Sequence, residues 1–395
     1  MITVIGVDGS PLSPQARARV DAAALVMGGR RHLVEVDVPA GTPTVALRDD
    51  PGEALRRVLE QDGDVVVLAS GDPGLFGVLR LLRERLPAEA LEVLPAVSSV
   101  ALAFARAGLS WDDAVVVSAH GRDLRPAVAV CRAHPKVAVL TAKGAGPAEL
   151  AAALIGTGRR LFVGERLGLP GERVSWTTPE QAGAGDWDEL NVVLVVDASR
   201  AVAPTKGWLA GRQQPSSWAL PDDAFAHRDG MLTKAEVRAV ALARLGPRLG
   251  DLMWDVGTGS GSVAVECARL GAAVIAVEKG DTSFVEANAK AFDVDVDVVR
   301  GAAPAALQAL SDPDIVFVGG GGTDVAQIVR DCVARGPRTV VVALAALDRL
   351  AAVQAALAPD TVDGVLLQAN RLRDLAGATA LAATNPVLLV WGNRS

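Results

Sequence analysis

The residues of this chain best suited to chemistry are three glycines and two acids. Gly257, Gly259 and Gly261 alternate with Thr258 and Ser260 directly after the apolar run 252–256, which contains Asp255. Glycine suits a backbone that must turn sharply and let a ligand approach without meeting a Cβ. The carboxyl end of a strand in an open α/β sheet is where such ligands bind. Glu278 closes the next apolar run, 21 residues after Gly257, near the spacing of about 20 at which an acid grips ribose hydroxyls. The pattern is Gly-x-Gly-x-Gly, not the Gly-x-Gly-x-x-Gly of dinucleotide sites. Asp255 would repel a pyrophosphate held at a helix N-terminus but suits an ammonium. The expected ligand is therefore S-adenosylmethionine; the plainer alternative is an ordinary tight strand–helix turn.

A further glycine stretch, 319–322, follows the apolar run 314–318. Gly320 and Gly321 there permit close approach of a large ligand, or simply make a flexible loop. No Asn/Asp-Pro-Pro-aromatic motif stands at this strand end, which weakens a nucleic-acid methylase reading. In the first half, Ser70-Gly71-Asp72-Pro73-Gly74 follows the run 64–69. Taken alone it is a turn, because Asp-Pro starts turns and flanking glycines open the backbone. The two glycine motifs differ, so the chain is not an internal duplication.

The elements that must position these residues alternate along the whole chain. Strands are expected at 2–7, 64–69, 114–118, 136–140, 160–164 and 191–196, with helices at 13–26, 52–61, 74–85, 98–107 and 147–155. The segment 201–220, with Pro204, Gly207, Trp208, Gly211, Pro215 and Trp218, reads as a linker lying on a surface. Beyond it, strands are expected at 252–256, 273–277, 296–299, 314–318, 338–343 and 387–391. Helices are expected at 233–245, 261–269, 282–291, 303–310, 323–334 and 348–357, the rhythm of a doubly wound sheet. Thr233, with Glu236 three residues on, has capping-box spacing.

Composition bounds the possibilities. A chain of 395 residues, half of them hydrophobic, accommodates two domains with large cores. The net charge of −7 argues against a general binder of nucleic acid or membrane surfaces. Cys131, Cys267 and Cys332 are too scattered for a metal motif or a disulfide framework, so a reducing cytoplasm is the expected setting. The N-terminus lacks the pattern of a signal peptide, and no long apolar window reads as a membrane span. Four histidines and no tyrosine leave few groups for acid–base work near neutrality, which favours chemistry driven by a reactive cofactor.

Several stretches together carry a resemblance. They are Gly28-Gly29-Arg30-Arg31-His32-Leu33, Ser70 to Gly77, Pro95 to Ser99, Ser118-Ala119-His120-Gly121-Arg122, Gly164-Glu165-Arg166-Leu167-Gly168, Leu232 to Arg238 and the 257–261 loop. Residues 1–200 resemble the tetrapyrrole-type (class III) S-adenosylmethionine methyltransferases of the CbiE branch, a two-subdomain α/β fold. Residues 221–395 resemble the CbiT branch, a Rossmann-like class I methyltransferase, with 201–220 between them. Fused in this order, the chain resembles the CobL-type decarboxylating precorrin methyltransferases of cobalamin biosynthesis.

The resemblance implies methylation at ring carbon 5 by the first domain and at carbon 15 by the second, with loss of the carbon-12 acetate carboxyl in the second. It implies one S-adenosylmethionine per domain and a homo-oligomer, dimer or tetramer. Implied cofactor contacts are Ser70, Gly71, Asp72, Ser98 and Ser99, then Thr233, Asp255, Gly257 to Gly261, Glu278 and Ala303. Ala302 stands where the family tends to show an acid, so adenine recognition there must rest on backbone groups. The stretch 342–350 also departs from the family pattern, and the short loop 6–11 is not assigned a cofactor contact. A polycarboxylate substrate needs local cations, so Arg122 and Arg125, then Lys234, Arg238, Arg371 and Arg373, are substrate-binding candidates with Gly320 and Gly321. His120 binds substrate or fixes its loop, and His227 is a weak candidate for a proton donor. The alternatives are a two-site methyltransferase for another small molecule, a cofactor-binding protein with one degenerate half, and, disfavoured by the acidic balance, an RNA methylase.

Overall fold

The structure is a computed structural model that describes residues 1–47, 51–200, 210–211, 215, 217–228, 232–358 and 361–394. Most of the expected linker, including Pro204, Gly207 and Trp208, lies outside the described residues; Trp218 is exposed. The chain divides into two compact units, residues 1–122 with 138–208, and residues 123–137 with 209–395.

The first unit holds a five-stranded parallel sheet in the order Thr44–Ala46, Leu25–Gly28, Val65–Ser70, Ile2–Val7, Leu91–Leu94. Its strands are apolar on both faces, as buried parallel strands are. Ile2 and Val4 enter one core cluster while Ile5 and Val7 enter another, the two-residue alternation of a strand. A second sheet runs Val115–Ser118, Lys136–Leu140, Asn191–Val196, Arg160–Glu165, Arg173–Thr177, its last three strands antiparallel.

The second unit is built on a seven-stranded sheet: Asp297–Arg300, Ala273–Glu278, Leu252–Val256, Ile315–Val318, Thr339–Leu344, Val387–Asn393, Thr361–Leu367. The first five strands are parallel and the last two pair antiparallel. Trp254 and Val256 face one core cluster and Met253 the other. The strand order reverses beside Leu252–Val256, the switch point where open α/β sheets bind ligands. Among the described residues, no helix is long and apolar enough to cross a membrane.

Several expected elements change. The helix expected over 13–26 ends at Asp21, and Leu25–Gly28 is a strand, because Ala22 to Ala24 suit a helix while the sheet claims the apolar run after them. The helix expected over 74–85 is only Leu79–Arg83, since the Pro73–Gly77 turn occupies its start. A 3-10 turn, Ala305–Leu307, replaces the helix expected over 303–310. The hairpin Asn370–Leu375 with Ala378–Ala383 was not foreseen. Thr233 does not cap its helix. Lys234 is the N-cap residue, and Asp222 reaches in to accept the Ala235 N–H at 2.9 Å.

Candidate active sites

In the first unit, the loops after three parallel strands converge on one cavity of about 400 Å³. Gly6 is required at this convergence, because a Cβ there would run into the Gly71 carbonyl and the Ala96 amide. Val7, Asp8, Gly9, Ser70, Gly71, Val97 and Ser99 line the cavity from the first sheet. Asp8 ties the loops together by accepting from Val97 N at 3.1 Å and Ser10 N at 3.0 Å. Burial alone would raise its pKa, but hydrogen bonds from Ser10 and Val97 outweigh that and hold it below the usual carboxylate range. The short loop left unassigned from sequence thus forms part of the wall.

Ser70 is held from behind. His32 is buried, with Nε2 3.1 Å from Ser70 Oγ and 3.0 Å from Arg31 Nη2. An arginine only donates, so Nε2 is an acceptor and the imidazole is neutral. Burial and the neighbouring Arg31 push its pKa down to about 4. The Ser70 hydroxyl therefore donates to His32, and Arg31 Nη2 also reaches its oxygen at 3.5 Å, which leaves one lone pair for a ligand. The residues quoted as Gly-Gly-Arg-Arg-His-Leu carried a resemblance but no role from sequence; the structure puts Arg31 on the cavity wall and His32 beneath it.

Of the other residues expected at this site, Ser99 and His120 line the cavity, and Asp72 and Ser98 do not. Asp72 closes its own turn by accepting Gly74 N at 2.8 Å. Ser98 caps the helix Ser99–Ala107 by accepting Ala101 N at 3.1 Å. Arg122 is exposed and off the wall, and Arg125 falls within the second unit. Lys143 and Arg166 are the cations that complete the lining with Arg31.

In the second unit, Gly257, Gly259 and Gly261 all adopt left-handed φ values, 72°, 54° and 75°. Gly257 allows a close approach, since its Cβ would lie 3.0 Å from Gly320 Cα. What approaches is the second glycine loop, so Gly320 is explained by loop-on-loop packing before any ligand is considered. Glu278 braces the turn, accepting Gly259 N at 3.0 Å through Oε2 and Gly280 N at 2.8 Å through Oε1. Each carboxylate oxygen retains a lone pair for a hydroxyl donor. Gly259, Ser260 and Glu278 line a cavity of about 190 Å³ together with Arg228, Lys279, Gly280, Asp281 and Phe284. Gly321 and the half-buried Ala303 lie outside that lining, as do Thr233 and Lys234.

Asp255 departs from expectation. It lies beneath the loop, buried, where its Oδ2 accepts the Thr258 hydroxyl at 2.7 Å and Ala264 N at 3.1 Å. Burial pushes its pKa up to about 6. Through Oδ2 it holds the loop's shape, while Oδ1 is buried with no hydrogen-bond partner among the described residues.

Two expected substrate cations are already committed. Arg238 is fully buried, stacked 4.7 Å from the Phe225 ring centroid and 3.5 Å from Glu266. It also donates to the carbonyls of Thr233, at 2.5 Å, and Leu220. Arg371 pairs with Glu236 at 2.7 Å and Asp222 at 2.8 Å, and the hydrogen bond to Glu236 raises its pKa further. Lys234 lies 3.6 Å from the same Asp222. These cations organise the approach to the Ala235–Leu245 helix. His227 turns its Nδ1 to the Phe225 carbonyl, 2.8 Å away.

Comparison with known proteins accounts for both halves. Residues 3–182 match the tetrapyrrole (corrin/porphyrin) methylase family and residues 223–393 match a precorrin methyltransferase domain. The precorrin-6Y C(5,15)-methyltransferase [decarboxylating] of Sinorhizobium sp is 39% identical over 340 residues, covering 82% of this chain and 79% of that protein. The cobalt-precorrin-7 C(5)-methyltransferase of Salmonella typhimurium (strain LT2) is 35% identical over 50% of this chain and 99% of its own length. A probable cobalt-precorrin-6B C(15)-methyltransferase (decarboxylating) from Pyrobaculum calidifontis is 37% identical over 43% of this chain and 93% of its own. With two methylase domains in one chain and a relative that aligns across most of both, the protein belongs to the precorrin-6Y C(5,15)-methyltransferase (decarboxylating) family.

Proposed function

We infer that this chain methylates precorrin-6Y at carbons 5 and 15 and removes one carboxyl group, as a step in cobalamin biosynthesis. The observation that carries this reading is the pairing of two unlike methylase domains, each with its own glycine-built cavity. The first domain takes carbon 5; the second takes carbon 15 and the decarboxylation. The setting is cytoplasmic, consistent with three buried free cysteines. A homo-oligomer is the expected assembly.

Each domain would hold one S-adenosylmethionine, whose cationic sulfonium would supply a methyl group and depart as a neutral thioether. The residues present fit that group. In the second domain Glu278 offers acceptors to ribose hydroxyls, and the Gly259–Ser260 backbone leaves room beside Phe284 for a flat apolar ring. In the first, Ser70 presents an oriented acceptor, and Gly71 and Val97 line the cavity beside it. Catalysis by the chain is chiefly alignment of an electron-rich ring carbon with the methyl donor and exclusion of water. No nucleophile of the protein's own is required, which agrees with the few residues titrating near neutrality.

The test is to incubate the full chain with precorrin-6Y and methyl-labelled S-adenosylmethionine. Mass spectrometry should find two methyl groups gained and one carbon dioxide lost, with two cofactor sites by calorimetry. One cofactor site would favour a degenerate half, and methylation without carbon dioxide loss would point to another substrate.

A further inference from the structure

Arg166 occupies an unusual place on the wall of the first cavity. Its φ is 51°, left-handed backbone in a residue that carries a full side chain. Such a conformation is strained and persists where the surroundings hold it; it clusters at ligand clamps. The surroundings here are explicit. Arg166 N donates to Leu190 O at 2.8 Å, and its own carbonyl accepts Leu169 N at 2.9 Å. In the side chain, Nε donates to Pro170 O at 3.0 Å and Nη1 lies 3.5 Å from Asp188. Nε and Nη1 of the guanidinium are thereby fixed, and Nη2 has no hydrogen-bond partner among the described residues. Glu165, one residue earlier, turns the other way and is buried, accepting Asp188 N at 2.7 Å. The chain thus spends backbone strain at one position to aim one arginine at the cavity.

We propose that Arg166, assisted by the exposed Lys143 on the same wall, recognises a carboxylate of the ligand bound in the first cavity. Two sources fit this chemistry: an acetate or propionate arm of the tetrapyrrole, or the methionine carboxylate of the cofactor. The proposal rests on the reading of the first domain as a tetrapyrrole methylase and names the group that grips its substrate. A guanidinium anchored through Nε and Nη1 is pre-organised to give a carboxylate one charge-assisted hydrogen bond from Nη2, and a lysine cannot be anchored and donate at once in this way. Of the acids on the wall, Asp8 is occupied by Ser10 and Val97 and Glu35 lies 3.5 Å from Arg31, while the exposed Glu189 also lines the cavity and Asp188 engages Arg166 only through Nη1.

Arg166→Gly is the decisive variant, because glycine keeps the left-handed backbone while removing the guanidinium. In the full chain, its melting temperature should stay within a few degrees of the wild type. Binding of uroporphyrin, an octacarboxylate probe read by tryptophan quenching, should weaken about tenfold or more, while its octamethyl ester binds both proteins equally poorly. Arg166→Lys should also lose most of the affinity, and Lys143→Gln a smaller part. In turnover, KM for precorrin-6Y at the carbon-5 step should rise about as much, with kcat and carbon-15 methylation unchanged. If calorimetry instead shows weaker S-adenosylmethionine binding with uroporphyrin unaffected, the carboxylate is the cofactor's. If neither ligand weakens, the proposal is overturned. If the wild type binds uroporphyrin through Arg166 but does not methylate precorrin-6Y, the functional reading fails and the carboxylate site stands.

Discussion

The two cavities are built by opposite constructions. The second is written in one contiguous stretch: strand, Gly-x-Gly-x-Gly, helix, and one acid at the end of the next strand. The first is assembled from loops far apart in the chain, with lining residues from Val7 to Val192. The second is braced by a buried carboxylate, Asp255, and the first by a buried neutral imidazole, His32. A contiguous site is legible as a motif because its spacing is local. A dispersed site is not, because its geometry exists only after the sheet orders its strands.

That contrast can be broken at its supports. The largest effect is expected at Arg238. Removing it as Arg238→Ala strips the buried Glu266 of one of its two cations, with Arg269 left at 3.1 Å, and deprives the Thr233 and Leu220 carbonyls of their donor. The cost should be about 3 kcal/mol, seen as a large drop in the second domain's melting transition. Arg31→Ala, at the half-exposed first-site cation, should cost under about 1 kcal/mol.

Next come the glycines. Gly6→Val should abolish carbon-5 methylation, by a hundredfold or more, roughly 3 kcal/mol, and spare carbon 15. Gly257→Val, with a φ of 72° and Gly320 in the way, should do the reverse, both read by product mass spectrometry. Loss of both methylations from either variant would mean that the sites are not independent.

The buried titrating groups should give opposite pH slopes. The Asp255 pKa is raised from 3.8 to about 6, so the folded form binds the extra proton, and stability present below pH 3.8 is lost as pH rises through about 6. His32 is lowered from 6.5 to about 4, so stability present above pH 6.5 is lost as pH falls through about 4. Each is worth on the order of 3 kcal/mol. Melting curves of Asp255→Asn and His32→Asn against the wild type should diverge in those two windows with opposite sign; slopes of equal sign would remove the contrast. Smaller than these is Glu278→Gln, which should weaken S-adenosylmethionine about tenfold, roughly 1.4 kcal/mol, at one of two calorimetric sites only.

Much of the fold was readable from periodicity. The runs 2–7, 252–256 and 273–277 are apolar on both faces, the mark of a buried parallel strand, and they form where expected. What escaped was short or locally ambiguous. Leu25–Gly28 hides behind alanines that favour a helix, and its strand conformation is won by parallel pairing of Leu25, Val26 and Met27 with Val65, Val66 and Val67 rather than by propensity. The capping box at Thr233 had the right spacing, but Asp222, 13 residues from Ala235, supplies the acceptor instead.

The amino-acid sequence by itself determined the strand–helix alternation, the family, and the 257–261 loop with Glu278, because each depends on residue type and short spacing. Tertiary structure alone decided which charges are available. Arg238 looked like a ligand cation and is sealed in the core with Glu266, whereas Arg166 carried no assigned role and stands on a cavity wall. The reason is physical: the fate of a charged side chain is set by the desolvation and partners it meets after folding, and those partners come from other elements.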